Sequence, residues 1–552
     1  MRTTYFVPID WIVLAAYFAV TMAIGFSFHR RSRSTEGFTA AGRSVPGWAC
    51  GLSIFATYVS SISFLALPGK AFATNWNPFV FSLALPLATW VAVRYFLPYY
   101  RRTGEVSAYA HLEHRFGPWA RVYASTFYLL TQLARMGAVM YLMALPLSVL
   151  MGWDIRTIIL ITGISVTVYA FVGGVLAVIW TDVMQSLVLM AGAVICSIVM
   201  LLSMPQGPGQ VFSIAAANDK FSLGSFRASV AEPTFWVVLL YGIAMNLQNF
   251  GIDQSYVQRY IASSNDREAR KSVWIGGLLY VPVSAVFFFI GTCLFAYYQA
   301  HPASLEEVRT TVAIQRLHSK GLDPGAPDNQ PALAAEREKL TQADIQDKVF
   351  PHFIGAVLPA GVTGLLIAAI FAAAMSTIAT SLNSSATLLM RDYYQRYVNR
   401  SASESQSMKV LYISTIVWGV LGTGVALAMM RVKSALDAWW TLSGIFSGGM
   451  LGLFLLGIIS RRARNPAAVT GVLGGITLIL WMTLSLPATG KVLGWRWPEA
   501  SRAPLHEYLI PVLGTLTILL LGLLVSLFTT SQKKRVPSPP GDKRGWTPER
   551  AA

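Results

Sequence analysis

Seven hydroxyl side chains, Ser376, Thr377, Thr380, Ser381, Ser384, Ser385 and Thr387, lie in FAAAMSTIATSLNSSATLLMRDYY, a run with no charge before Arg391. On a helix, Ala373, Thr377, Thr380 and Ser384 recur at i, i+4, i+7 and i+11 and form one stripe, with Ser376 beside Thr377. Small hydroxylated stripes serve ordinary helix packing in lipid. They also suit a hard cation such as sodium, which takes oxygen ligands and needs no formal charge where several oxygens converge. The remaining ligands would be backbone carbonyls, which a helix frees only where its hydrogen-bond ladder is interrupted.

Two stretches have a composition suited to interruption. GLSIFATYVSSISFLALPGKAF places Ser60, Ser61 and Ser63 in mid-run, then Pro68 and Gly69, with Ala56, Val59, Ser60 and Ser63 on one face. TFWVVLLYGIAMNLQNFGIDQSY carries Gly242, Asn246, Gln248, Asn249 and Gly251. Paired discontinuous helices in corresponding positions of two halves point to the central site of a secondary transporter. Only two charges lie well inside apolar segments: Arg135 in LLTQLARMGAVMYL and Asp182 in AVIWTDVMQSLVL. A charge at the bilayer centre costs at least about 2.5–3.5 kcal/mol, so each needs a partner or an aqueous cavity. The plain alternatives are a packing carboxylate and a snorkelling arginine.

The elements that must position these groups are membrane spans. The chain is 54% hydrophobic and 12% charged, with a mean hydropathy of +0.52, far from the quarter of charged residues of soluble domains. Apolar stretches of bilayer length predict thirteen spans, at 8–28, 48–70, 77–97, 122–150, 156–173, 176–203, 234–250, 274–298, 352–390, 410–430, 438–459, 467–485 and 509–529. The segment 352–390 exceeds one crossing and is expected to turn into a cytoplasmic helix near Met390. Most of the 43 Lys and Arg residues, Arg259 among them, fall on one side if the N-terminus is outside and the C-terminus inside. The net charge of +17 is thereby assigned to topology, and no nucleic-acid partner is expected.

The first span has its basic cluster, HRRSR, after the apolar run, so it is read as a retained span. The three cysteines lie in or beside apolar segments and indicate no disulfide framework. Residues 299–351 form an extracellular excursion with an expected helix around 328–346. Residues 531–552 read as a disordered basic cytoplasmic tail. An enzyme is not expected: there is no HExxH, no P-loop, and the seven histidines sit in loops or at span ends. His111 and His114, flanking Glu113 in HLEHRF, read as a solvated loop helix rather than a metal site.

Four motifs carry a resemblance to a known family: GRSVPGW before the first broken segment, GGVLAVIWTDVMQ, QSYVQRY after the seventh span, and AAIFAAAMSTIATSLNSSAT. Over residues 8–460 the chain resembles the sodium:solute symporters, and within them the bacterial sialic acid branch. The resemblance implies an all-α integral membrane protein with a LeuT-type 5+5 inverted repeat and broken helices. The divisions are then an N-terminal extra span and loop at 1–47, repeats at 48–203 and 234–459, C-terminal extra spans at 460–530, and the tail. Sodium would be co-transported with a small polar solute across the cell membrane by a functional monomer.

Residue by residue, the resemblance assigns a main sodium site to the carbonyls of Ala56, Val59 and Ala373 with the hydroxyls of Ser376 and Thr377. A second sodium site, present in part of the family, would use Asp182, Ser376 and Thr380, but Ala379 stands where two-sodium members carry another hydroxyl. Substrate is assigned to Ser60, Ser63 and Arg135, with the pocket remodelled at Tyr58, Pro78 and Ser82. A guanidinium offers a carboxylate bidentate geometry, so the expected solute is carboxylated, sialic acid or sugar-acid like. The alternatives are a neutral sugar, amino acid or vitamin-like solute, or an uncoupled facilitator of the same fold.

Overall fold

The computed structural model describes residues 6–430, 442–443, 446, 448–486, 498 and 501–528. Among these residues the regular structure is all helical, joined by turns and loops, with one isolated bridge between Val45 and Ser263. Among the described residues, ten helices are long and apolar enough to cross a bilayer, or eleven when one bent pair counts as a span. The helix Ile155–Leu202 is broken at Gly174, whose φ of 54° and ψ of −157° are non-helical. Its two arms, 155–173 and 175–202, reach about 28 and 42 Å, so each is long enough to cross. A Cβ at residue 174 would lie 2.9 Å from the Phe38 Cα, so glycine is required there twice over.

The helices that build the site are α1 (Pro8–Ser27), α2 (Gly47–Tyr58), α3 (Ser61–Ala73), α4 (Pro118–Met151), α5 (Ile155–Leu202), α6 (Phe235–Ile252), α7 (Gln254–Ala262), α8 (Asp266–Ala300), α9 (Gln342–Ala356) and α10 (Val362–Leu388). The pair α2 and α3 is bent by 58°. The second expected interruption lies at Asp253, whose extended backbone (φ −73°, ψ 126°) separates α6 from α7.

The hydroxyl-rich α10 is the central helix. With its continuation to Val398, 89% of its apolar window is buried, against 28% for α1. A continuous ladder satisfies its own backbone, and most of its hydroxyls turn inward or bond the preceding turn, as Thr387 does to the Asn383 carbonyl at 2.8 Å. Asp10 of α1 holds the helix start: its Oδ1 accepts from the Gly361 and Gly364 amides at 2.7 and 2.8 Å, a carboxylate placed on the positive end of α10.

Several expected boundaries are corrected. The span expected at 352–390 begins at Val362, because Gly361, with φ of 84°, separates it from α9. At Leu389, next to the expected change near Met390, it passes into a wider helix, Leu389–Val398. The excursion at 299–351 holds Pro302–Ser319, Gln330–Glu338 and the start of α9 rather than one helix. It is packed: the α9 ring of Phe350 lies 5.9 Å from Phe64 of α3. The segment QSYVQRY is not a solvated loop but α7, buried along its whole length. HLEHRF forms the helix Ala110–Phe116, but His111 is buried, which pushes its imidazole down to about 4 and keeps it neutral. Glu113 pairs with Arg121 at 2.9 Å and with Arg396. Part of the span at 438–459 and the tail at 531–552 lie outside the described residues; the described part of that span contains Met450–Ile459.

Candidate functional site

The break between α2 and α3 starts where Val59 (φ −78°, ψ 120°) leaves the helix and Ser60 (φ −111°, ψ 166°) caps the next one, its Oγ accepting from the Ser63 amide at 3.3 Å. Two ends of backbone therefore face each other inside the protein, and their carbonyls must be accounted for. Phe55 O accepts from the Val59 amide, Thr57 O from Arg135 and Ser60 O from the Phe64 amide. Among the described residues, no hydrogen bond uses the carbonyls of Ala56 or Val59.

Helix α10 passes beside this break, with Thr57 Oγ1 and Thr380 Oγ1 3.3 Å apart. One turn earlier Thr377 Oγ1 donates to the Ala373 carbonyl at 3.1 Å, and Ser376 Oγ donates to Asp182 Oδ1 at 2.6 Å. The expected main-site residues Ala56, Val59, Ala373, Ser376 and Thr377 thus come from two elements in contact, and each offers an oxygen with a lone pair left over.

The carboxylate of Asp182 has more partners than the sequence indicated. Its Oδ2 accepts from Ser53 Oγ at 2.5 Å and from the guanidinium of Arg259 at 3.3 Å, both charged side chains being fully buried. Arg259 further donates to Thr380 Oγ1 at 2.7 Å, Ser53 Oγ at 3.0 Å and the Ser255 carbonyl at 2.8 Å. One of the basic residues that the charge count places on the inner side, it is buried beside Asp182. The available signal was Asp182 itself, a buried charge in need of a partner, together with the apolar positions Val257, Tyr260 and Ile261 around Arg259.

A cavity of about 410 Å³ opens between α3, α4, α6, α7 and α8. That size suits a sugar-sized solute. The expected Ser60, Ser63, Arg135, Tyr58 and Ser82 all line it, as does Pro78. Tyr58 bonds Asn246 through its hydroxyl, and its ring rests 4.3 Å from that of Tyr280. Ser82 pairs with Ser284 at 2.8 Å. Arg135 places one nitrogen 2.9 Å from the Thr57 carbonyl, which anchors the side chain on the broken helix and leaves the rest of its fork facing the cavity.

The sequence reading missed Asp253, which also lines the cavity. Its Oδ1 accepts from the Ser255 amide at 2.8 Å, from the Ser255 hydroxyl and from Tyr128 at 3.3 Å, so this oxygen caps the start of α7. The signal was the second break itself, because a helix restarting inside a membrane protein needs a cap. Among the described residues, no group of three His, Cys, Asp or Glu side chains is placed to hold a metal.

Known proteins resemble the chain along nearly its full length. The sodium/sialic acid symporter NanT of Aliivibrio fischeri is 32% identical over 533 residues, covering 95% of this chain and 94% of that protein. The sodium/sialic acid symporter SiaT of Proteus mirabilis is 33% identical, covering 86% of this chain and 89% of that protein. A solved structure of a sodium-coupled sialic acid symporter, substrate-bound and outward-open, superposes with a TM-score of 0.80 at 29% identity, over 95% of this chain and 99% of that one. A nucleobase-cation-symport-1 family transporter in a closed conformation shares the fold at a TM-score of 0.51 and 15% identity, over 89% and 93% of the two chains. The model of the sodium:solute symporter family matches residues 38–475, and the chain, with its two interrupted helices and its central hydroxyl-rich helix, belongs to that family.

Proposed function

We propose that this protein imports a small carboxylated solute, sialic acid or sugar-acid like, coupled to sodium by alternating access. The observation that carries the substrate class is Arg135. Its fork faces the cavity with one anchoring bond made, and the carboxylate on the same wall, Asp253, turns its Oδ1 to the start of α7 and forms no direct ion pair with it. The N-terminal turn of α3, headed by Ser60 and Ser63, faces the same cavity, and its positive end favours an anion. Two relatives that match most of the chain are named for sialic acid transport, which supports the same chemistry.

Sodium is the coupled substrate. Bound by the free Ala56 and Val59 carbonyls together with Ala373, Ser376 and Thr377, it would fix the end of α2 against α10. Ser60 follows Val59 directly, so the order sodium imposes reaches the first substrate hydroxyl through one peptide unit. Sodium and solute then raise each other's affinity by the same factor. The basic clusters support an N-out, C-in orientation, the two broken segments support repeats at 48–203 and 234–459, and one cavity within one chain supports a functional monomer.

A neutral or zwitterionic solute is the second reading. Asp253 favours it, because it brings a negative charge to the wall that holds Arg135. Melting of the purified protein, followed with sugars, amino acids and sugar acids with and without sodium, separates the two. The first reading expects stabilisation by carboxylated sugars that sodium enhances. Stabilisation by neutral solutes alone would favour the second.

A further inference from the structure

A second cavity, of about 210 Å³, lies apart from the solute cavity, between α1, the end of α4, the first arm of α5 and α10. Trp11, Leu14, Ala15 and Phe18 line it from α1 at i, i+3, i+4 and i+7, one stripe about 10 Å long. Trp153 and Ile161 face them from the start of α5, and Phe371 of α10, itself buried, adds a wall. Ala15, Trp153 and Ile161 are exposed on lipid-facing helices, so the cavity opens sideways into the bilayer.

No side chain lining this cavity carries a charge, a hydroxyl or an amide. Water would find no partner there, and such a space stays dry. The solvent that can fill it is hydrocarbon, and the α1 stripe reaches about two thirds of the depth of one leaflet's apolar half. The rim has a different chemistry. The rings of Trp11 and Trp153 lie 5.2 Å apart, tilted by 31°, and among the described residues neither indole N–H has a hydrogen-bond partner. Indoles at a membrane surface pair an apolar ring with a donor for polar lipid oxygens. In the turn after Trp153, Asp154 and Arg156 are both exposed, and among the described residues the Arg156 guanidinium makes no bond. Asp154 accepts from the Arg156 amide at 3.0 Å. A headgroup with both a phosphate and an ammonium matches this pair of opposite charges.

We propose that this cavity is a phospholipid site. One acyl chain of a zwitterionic glycerophospholipid enters between α1 and the first arm of α5, while its ester and phosphate oxygens meet the two indoles and Arg156. With the N-terminus outside, the lipid belongs to the outer leaflet. Its chain ends against Phe371, on which Phe18 packs edge-on at 5.2 Å. Phe371 stands two residues before Ala373, so a seated chain props α1 against the turn of α10 that carries a proposed sodium carbonyl. That link rests on the main sodium site proposed above; the lipid site itself does not.

The test uses a phosphatidylethanolamine with a diazirine halfway along one acyl chain, irradiated in proteoliposomes of the full chain, with adducts mapped by mass spectrometry. Adducts are expected on Leu14 and Phe371, which are 5% and 3% exposed and out of reach of lipid that merely surrounds the protein. Leu520 and Leu524, 60% and 51% exposed, serve as surface controls. Ala15→Trp blocks the mouth and should abolish the adducts on Leu14 and Phe371 while keeping the controls. Ile161→Trp blocks it from the other side and gives the same result where Ala15→Trp does not fold. A diazirine alkane without a headgroup should label Phe371 more weakly than the lipid does. Labelling confined to Leu520 and Leu524 overturns the proposal, as does undiminished Phe371 labelling in both folded variants. Equal labelling by the alkane overturns the phospholipid assignment in favour of any apolar solute. Both variants should raise the sodium concentration for half-maximal uptake several-fold. An unchanged value in a variant that excludes the lipid removes the link to α10. A wild type without sodium activation would instead overturn the sodium reading and leave the labelling result standing.

Discussion

At the scale of single residues, the proposed sodium coupling depends on oxygens left unused by the fold. Ser376→Ala and Thr377→Ala each remove one hydroxyl from a face where a small apolar side chain packs equally well. Each should raise the sodium concentration for half-maximal uptake about tenfold, corresponding to about 1.4 kcal/mol, with expression unchanged. Sodium activation curves check this, and wild-type curves for both variants would remove α10 from the site. Arg135→Lys keeps the charge and loses the planar fork, so uptake of a carboxylated solute should fall by at least about tenfold, and Arg135→Gln should fall further. Measured uptake of the same solute by the two variants ranks charge against geometry. The placement of Ser60, Ser63 and Arg135 on the cavity wall and of Asp182 among buried partners was legible in the sequence, because a polar side chain in an apolar run needs a reason to be there. Arg259 was not, because QSYVQRY is polar enough to pass for a loop, and its burial depends on packing by α2, α8 and α10 from distant parts of the chain.

At the scale of elements, the breaks matter more than the helices. The interruption at Val59 and Ser60 exposes carbonyls, and the one at Asp253 restarts a helix under a carboxylate cap. The turn at Gly174 allows α5 to fold into two arms. Gly174→Val should be the most damaging of the simple substitutions in the scaffold. It combines a positive φ with a Cβ at 2.9 Å from backbone, and should cost at least about 2–3 kcal/mol. The yield of folded protein from size-exclusion chromatography reads this out, and a normal yield would show that the turn can rearrange. The helical, apolar type of the spans was readable from hydropathy; against the thirteen expected, the described residues hold ten helices of that kind, or eleven with the bent pair, because two expected spans share the helix broken at Gly174 and the one at 438–459 lies partly outside the described residues. The start of α10 was misplaced by ten residues because PHFIGAVLPAG is as apolar as a span, and only Gly361, with its positive φ, marks the boundary. The helices of 299–351 were only partly legible, since their burial against α3 is tertiary.

At the scale of the whole molecule, the coupling number sets what the transporter can accumulate. One sodium moving down about 100 mV gains about 2.3 kcal/mol. A tenfold sodium gradient adds about 1.4 kcal/mol. Together these sustain about 500-fold accumulation of a neutral solute. A monoanion cancels the electrical part, so coupling to one sodium is electroneutral and limited to roughly the sodium gradient itself. Coupled to one sodium per cycle, accumulation of a carboxylated solute should be insensitive to an imposed potassium-diffusion potential, and this is the expected result. A clear gain on making the interior negative would indicate a second ion. The most direct test of the central claim is uptake of radiolabelled N-acetylneuraminate into proteoliposomes of the purified protein, with an inward sodium gradient and with sodium replaced by potassium, in competition with the unlabelled acid and with its methyl ester. The account predicts accumulation above equilibrium with sodium alone, inhibition by the acid, and at least about tenfold weaker inhibition by the ester. Uptake of equal extent in potassium, or equal inhibition by acid and ester, would contradict it.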